Sequence, residues 1–336
     1  MRVLMSSYHN PNFINTTVYR EKAVEYLGHE LIPFDDRQFI IPGSIRERFN
    51  FLHTWDLKRI NIKLVELAKQ KMPDIVLVIG GQRILPQTIL KIKELGIKIV
   101  LWTTDVPIDF ENILRCSPLY HHVFCAGTEA VEIFEKKGLK NITWISFGCD
   151  PRYHKSVDLT EEDKNQYGKD VVFVGSYYPN RAKLLESLAD FDIGIWGPYW
   201  SKIDEKSPLK SKAIESKINY DQWVKIYNAA KIVIVVHYQD LAGKIPCYQA
   251  SPKLFEAMAC GSFVLVDEQR DVKALFKEGE HLAYFKDAKD LREKVKYYLQ
   301  HEDIRKSIAK KGQEEVTARH TFQHRMEEIL NVTRPR

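Results

Sequence analysis

The sequence predicts an α/β protein built from two parallel-sheet domains. Three observations carry this. The chain has 336 residues, enough for two domains of ordinary size. Short apolar runs alternate with segments of helical period, the βαβ pattern of a parallel sheet. After a polar, charged stretch at 152–169, the alternation starts again at Val171.

The elements follow in order. Arg2–Ser6 reads as a strand, then a loop to Asn15, a helix from about Thr16 to Leu27 stopped by Gly28, and a strand at His29–Phe34. The first loop, SYHNPNFIN, is not GxGxxG, which argues against a dinucleotide oxidoreductase. His9 and Asn10 in that loop are candidates for an acceptor-side loop. Residues 35–53 are expected to be irregular. Leu57, Ile60, Leu64 and Leu67 give helical spacing from about Thr54 to Gln70. Asp74–Ile79 is a strand ending in Gly80-Gly81; Pro86–Leu95 is a helix closed by Gly96; Ile97–Trp102 is a strand. Asp105, just past it, is a candidate for acceptor-side chemistry, with Asp109 beside it. Tyr120–Cys125 and Thr128–Lys137 complete the first half, and Gly148 with Pro151 suggests a hinge.

In the second half, Val171–Val174 is a strand ended by Gly175-Ser176, and Pro179 opens a helix to about Ala189. Arg181 sits in that helix's first turn, where the dipole disfavours a cation unless an anion docks there. Asp192–Trp196 is a strand, 198–219 is irregular, Tyr220–Ala230 is a helix, and Ile232–Val236 is a buried strand ending at His237. The loop Gln239–Ala250, with Gly243, Pro246 and Tyr248, leads into SPKLFEAMACGSFVLVD at Ser251–Asp267. There Ser251 is an N-cap residue, Pro252 a first helical residue, and Leu254, Phe255, Met258 and Ala259 an apolar side. On the other side Lys253 and Glu256 are three apart and adjacent. A phosphate at the helix tip would meet Lys253 and free N–H groups, with Glu256 placed to accept from a polyol beside it. Strand and helix patterns continue to a last helix at about Thr321–Val332.

Composition narrows the classes. Hydrophobic content of 44% and charged content of 28% suit a water-soluble globular chain. A net charge of +5 suits anionic ligands but does not by itself indicate nucleic acid. Five cysteines without a CxxC pair read as reduced thiols of a cytoplasmic protein, neither a disulfide framework nor a zinc site. MRVLMSSYHN reads as a first strand, not a signal peptide. No apolar run approaches the ~20 residues of an integral membrane segment, so membrane contact would be peripheral.

The stretch Ser251–Asp267 resembles the nucleotide-sugar-binding helix of GT-B glycosyltransferases, and the residues after it, through RHTFQHRMEEIL at Arg319–Leu330, look most like the CgeB-like, spore-maturation-type branch. The resemblance implies two Rossmann-like domains with parallel sheets facing a central cleft: an acceptor-side domain at 1–151, a linker at 152–169, a nucleotide-sugar-binding domain at 170–318, and a C-terminal helix at 319–336 crossing back to the first. It implies transfer of a sugar from a UDP-, GDP- or dTDP-linked donor to a glycan, protein, small-molecule or nucleic-acid acceptor. Glu256 would hold the ribose, Arg181 and Lys253 the diphosphate near Gly175 and Ser176, and His237 and Tyr248 would border the sugar. No metal or other cofactor is expected, and the triplet Asp190-Phe191-Asp192 reads as structural. Retaining relatives often carry two glutamates with seven residues between them; here Tyr248 stands where the first would be. If the reaction inverts, Asp105 is the candidate base. A non-catalytic nucleotide- or glycan-binding subunit, a DNA-modifying sugar transferase and a nucleotide-sugar epimerase stay open.

Overall fold

The computed structural model describes residues 1–10, 15–104, 111–215, 219–239 and 245–333. The chain divides into two compact units, one of residues 1–146 with 322–336, the other of residues 147–321.

The first unit is laid down as β1 (Arg2–Ser7), α1 (Thr16–Tyr26), β2 (Glu30–Asp35), α2 (Gly43–Arg48), α3 (Asn50–Lys71), β3 (Ile75–Ile79), α4 (Pro86–Glu94), β4 (Lys98–Thr103), α5 (Glu111–Cys116), β5 (His122–Cys125), α6 (Thr128–Lys136) and β6 (Ile142–Trp144). Its six strands run parallel in the order β2-β1-β3-β4-β5-β6. Helices cover the strands, so β3 is buried at every residue, as its run of Ile, Val and Leu requires. The expected irregular stretch 35–53 instead contains α2 and the first turn of α3. The reason is nonlocal: the buried Asp56 carboxylate accepts the N–H groups of Ile40 and Ile41 at 2.9 and 3.0 Å, pinning the segment to α3.

The second unit contains α7 (Glu161–Tyr167), β7 (Lys169–Val174), α8 (Pro179–Leu185), β8 (Ile193–Gly197), β9 (Ala213–Glu215), α9 (Tyr220–Ala229), β10 (Ala230–Val235), α10 (Pro252–Ala259), β11 (Val264–Asp267), α11 (Arg270–Leu275), β12 (Ala283–Phe285), α12 (Ala288–Gln300) and α13 (Glu302–Arg319). Its parallel strands lie in the order β12-β11-β10-β7-β8-β9. Taken from β7 as the first strand, this is the Rossmann order, and its switch point falls between β7 and β10. The region 198–219 is less irregular than its polar composition suggests, since β9 adds an edge strand to β8.

Residues 152–169 differ from the expected linker. They carry α7, which a Thr160–Asp163 capping box starts, and Lys225 of α9 holds Asp163 at 2.8 Å. Residues 147–151 also pack in this unit: the Cys149 N–H donates to the His320 carbonyl at 3.0 Å. The chain then returns. The last helix, α14 (Phe322–Thr333), belongs to the first unit, where Tyr19 stacks on Phe322 and Arg325 donates to the Ser146 carbonyl and hydroxyl, each at 3.0 Å.

Candidate functional site

Parallel strands collect ligands at their carboxyl ends, above all at a switch point. In the second unit β7 ends in Gly175-Ser176 and β10 runs into His237. A side chain at Gly175 would press on Phe173, its Cβ 2.9 Å from Cζ. One at Gly197 would come within 2.1 Å of the Gly175 carbonyl oxygen, which Trp200 Nε1 already occupies at 2.8 Å. The two glycines thus let neighbouring strand ends cross closely.

Arg181, in the first turn of α8, folds back over this turn. Its Nη1 donates to the Ser176 carbonyl at 3.2 Å, and its guanidinium lies 4.9 Å from the Tyr178 ring centroid. Its Nε is buried with no hydrogen-bond partner. Burial lowers its pKa, with Tyr178 and Asp267 opposing.

α10 brings the other charges. Ser251 occupies the N-cap position, but its hydroxyl makes no cap bond; the helix begins with Pro252 at its first position. The first-turn N–H groups are therefore not closed by the expected side chain. Lys253 is half-buried there, its ammonium pushed below the usual lysine range by burial and then by Arg181, with Glu256 opposing. Glu256 is 7% exposed, and its carboxylate makes no hydrogen bond or ion pair with a described residue. Burial pushes its pKa up to about 7, with Lys253 opposing. Two cations in electrostatic reach of each other thus lie beside a buried carboxylate that makes no bond to a described residue.

His237 closes the switch point from β10. It is 3% exposed; its Nδ1 and backbone N–H both contact Asp267 Oδ1, at 2.6 and 3.0 Å. Nε2 is buried without a partner. Burial alone would raise the Asp267 carboxyl; His237 outweighs it and holds the group below its usual range. Asp267, the last residue of β11, escaped the sequence reading, although a carboxylate ending an apolar strand at the ligand edge was the available signal.

The other named residues have contacts of their own. Tyr248 sits against α11, with Arg270 5.1 Å from its ring centroid and its carbonyl accepting from Asp271 at 3.3 Å. Asp190 takes a bidentate pair from Arg292, and Asp192 pairs with Lys169 at 2.8 Å, so both carboxylates of the triplet hold surface elements together. In the first unit His9 Nε2 meets Glu21 at 2.6 Å, and that bond raises its pKa; Asn10 follows it. Asp36 nearby is 4% exposed, and burial pushes its pKa up to about 6, with Arg83 and Arg37 opposing. Neither Glu21 nor Asp36 announces itself in sequence. Asp105, Asp109 and Gly243 lie outside the described residues.

Comparison with known proteins agrees with this architecture. Residues 181–331 match a family described as glycosyl transferase-like. Over 261 residues the chain is 23% identical to the spore protein CgeB of Bacillus subtilis strain 168, covering 74% of this chain and 80% of that protein. Among solved structures, sucrose-phosphate synthase from Thermosynechococcus elongatus superposes with a TM-score of 0.71 at 11% identity, over 98% of both chains. A glycosyltransferase from Rickettsia africae ESF-5 gives 0.70 at 14% identity, over 99% of this chain and 97% of that one. Anabaena HepE in complex with UDP-glucose gives 0.69 at 13% identity, over 99% of both.

Proposed function

Starting from a chain that has the GT-B fold and is CgeB-like in sequence, we propose that it is a glycosyltransferase using a nucleotide-diphosphate sugar. The observation that carries this is the charged group at the β7–β10 switch point. Arg181 and Lys253 face a place for a diphosphate, and Glu256 one for ribose hydroxyls. His237 Nε2, oriented by Asp267, borders the sugar side. As the bond from sugar to diphosphate breaks, negative charge grows on phosphate. Arg181, Lys253 and the first-turn N–H groups of α10 then bind the departing diphosphate more tightly than the intact donor, which lowers the barrier. Their two positive charges supply this stabilisation without a metal in our reading. HepE's complex with UDP-glucose favours a uracil base among the candidates.

Calorimetric titration with UDP, GDP, ADP and dTDP tests the reading, wild type and Glu256→Ala side by side. One diphosphate should bind selectively, and the substitution should weaken it tenfold or more, by about the loss of one or two hydrogen bonds to a charged acceptor. If none of the four binds, or the substitution changes nothing, α10 is not the nucleotide site.

A further inference from the structure

Among the described residues, large exposed apolar side chains concentrate on one part of the first unit. Ile40, Ile45, Phe49, Phe51, Trp55 and Ile62 are between 42% and 70% exposed. Phe51, Trp55 and Ile62 are spaced by four and seven along α3, so they share a face, with Lys58 between them. The same segment is basic. Residues 43–71 hold seven lysines and arginines against three acidic residues, an excess of four in a chain whose total is +5. Asp56 is buried and paired with Arg59, so these two cancel and the excess of four stands.

Beside these side chains opens a cavity of about 600 Å³ lined by Arg37, Arg46, Arg83 and His53, with Ile40 at its wall and Glu47 its acidic lining residue. Arg46 is fixed there: Nε donates to the Ile41 carbonyl at 2.8 Å, the guanidinium lies 3.7 Å from the Phe39 ring centroid, and Nη1 meets His53 at 3.3 Å. Arg37 is no closer than 4.0 Å to Asp36, the carboxylate it faces.

We propose that this face docks on an anionic phospholipid bilayer, with a lipid phosphate in the arginine cavity and Phe51 and Trp55 at the acyl boundary. Nucleic acid would account for the cations but not for six exposed apolar side chains. An ordinary protein partner would cover the apolar residues but has no need of the charge excess. A headgroup layer over acyl chains matches both at the depths where they occur. No helix among the described residues is long and apolar enough to cross a membrane, so the contact is peripheral. The inference stands independently of the glycosyl-transfer reading.

The test is sedimentation of the whole protein with phosphatidylcholine vesicles, with and without phosphatidylglycerol. Partitioning should be about tenfold or more stronger on the anionic vesicles and fall steeply with salt. The pair Phe51→Ser with Trp55→Ser should abolish it, and Arg46→Gln with Arg83→Gln should reduce the anionic preference about fivefold per charge. Unaltered thermal unfolding confirms that the variants are folded. Absence of sedimentation with anionic vesicles, or sedimentation that survives Phe51→Ser with Trp55→Ser, overturns the proposal. A dimer that dissociates in the same pair while vesicles are ignored assigns the face to a second copy. DNA binding indifferent to the apolar pair assigns it to nucleic acid.

Discussion

Replacing Glu256 by glutamine removes an ionisable group from a place that disfavours its charge. The carboxyl titrates near 7 in the folded protein against 4.5 ordinarily. A raised carboxylate pKa contributes stability that is fully present below 4.5 and is lost as the pH rises through 7. Each tenfold change in proton affinity is worth about 1.4 kcal/mol, so the wild type should give up about 3 kcal/mol at this residue between pH 4.5 and 8. Glutamine has nothing to titrate. The Glu256→Gln protein should therefore gain on the wild type by about 3 kcal/mol over that range, or about 6–12 °C in Tm for a unit of this size. Loss of the attraction for Lys253 trims the gain. Binding should move the opposite way, because ribose hydroxyls lose a charged acceptor and UDP affinity falls about tenfold to a hundredfold. Thermal unfolding from pH 4.5 to 8, with UDP titration at pH 8, reads both. A stability difference that does not change with pH, or undiminished UDP affinity, refutes the reasoning.

Arg181→Gln should weaken UDP about tenfold or more and leave uridine binding unchanged, since only the diphosphate meets the guanidinium; calorimetry with both ligands checks this. His237→Ala leaves the Asp267 carboxylate buried without its imidazole, and denaturant unfolding should show a loss of about 3 kcal/mol; an unaltered midpoint counts against the pair. Gly197→Ala puts a Cβ 2.1 Å from the Gly175 carbonyl oxygen, so stability should drop by about 3 kcal/mol and donor binding with it, measured by unfolding and titration on one preparation. Asp190→Asn with Asp192→Asn should leave UDP affinity and transfer rate unchanged with or without magnesium; magnesium dependence that disappears in this variant would return the triplet to the chemistry.

The parallel sheets were legible because their strands are continuous apolar runs ended by glycine, as at Ile75–Ile79 with Gly80-Gly81 and Val171–Val174 with Gly175. α10 could be read because one eight-residue helix carries both its apolar side and its charged side. Arg181, Lys253 and Glu256 could be placed together because strand ends and helix starts meet at a switch point. What stayed hidden depends on distant pairs. Asp56 organises residues 40 and 41 from fifteen or sixteen positions away. Asp267 matters because β11 lies beside β10, which sets it against His237. Phe49, Phe51 and Trp55 face solvent, which their apolar character does not announce.

The return of α14 to the first unit sets an order on biosynthesis. Phe322, Met326, Ile329 and Leu330 are buried there, and Lys98 reaches the Thr333 carbonyl at 2.9 Å. Translation delivers residues 1–146 first, but the helix that seals them emerges only after all of 147–321 has been made. At ordinary elongation rates that is a delay of about 10–30 s. Through this interval the nascent first unit displays the apolar groove meant for α14, while the second unit already has every residue it needs. The half that is synthesised first is thus the half that finishes folding last, and it is the one a ribosome-associated chaperone would have to shelter.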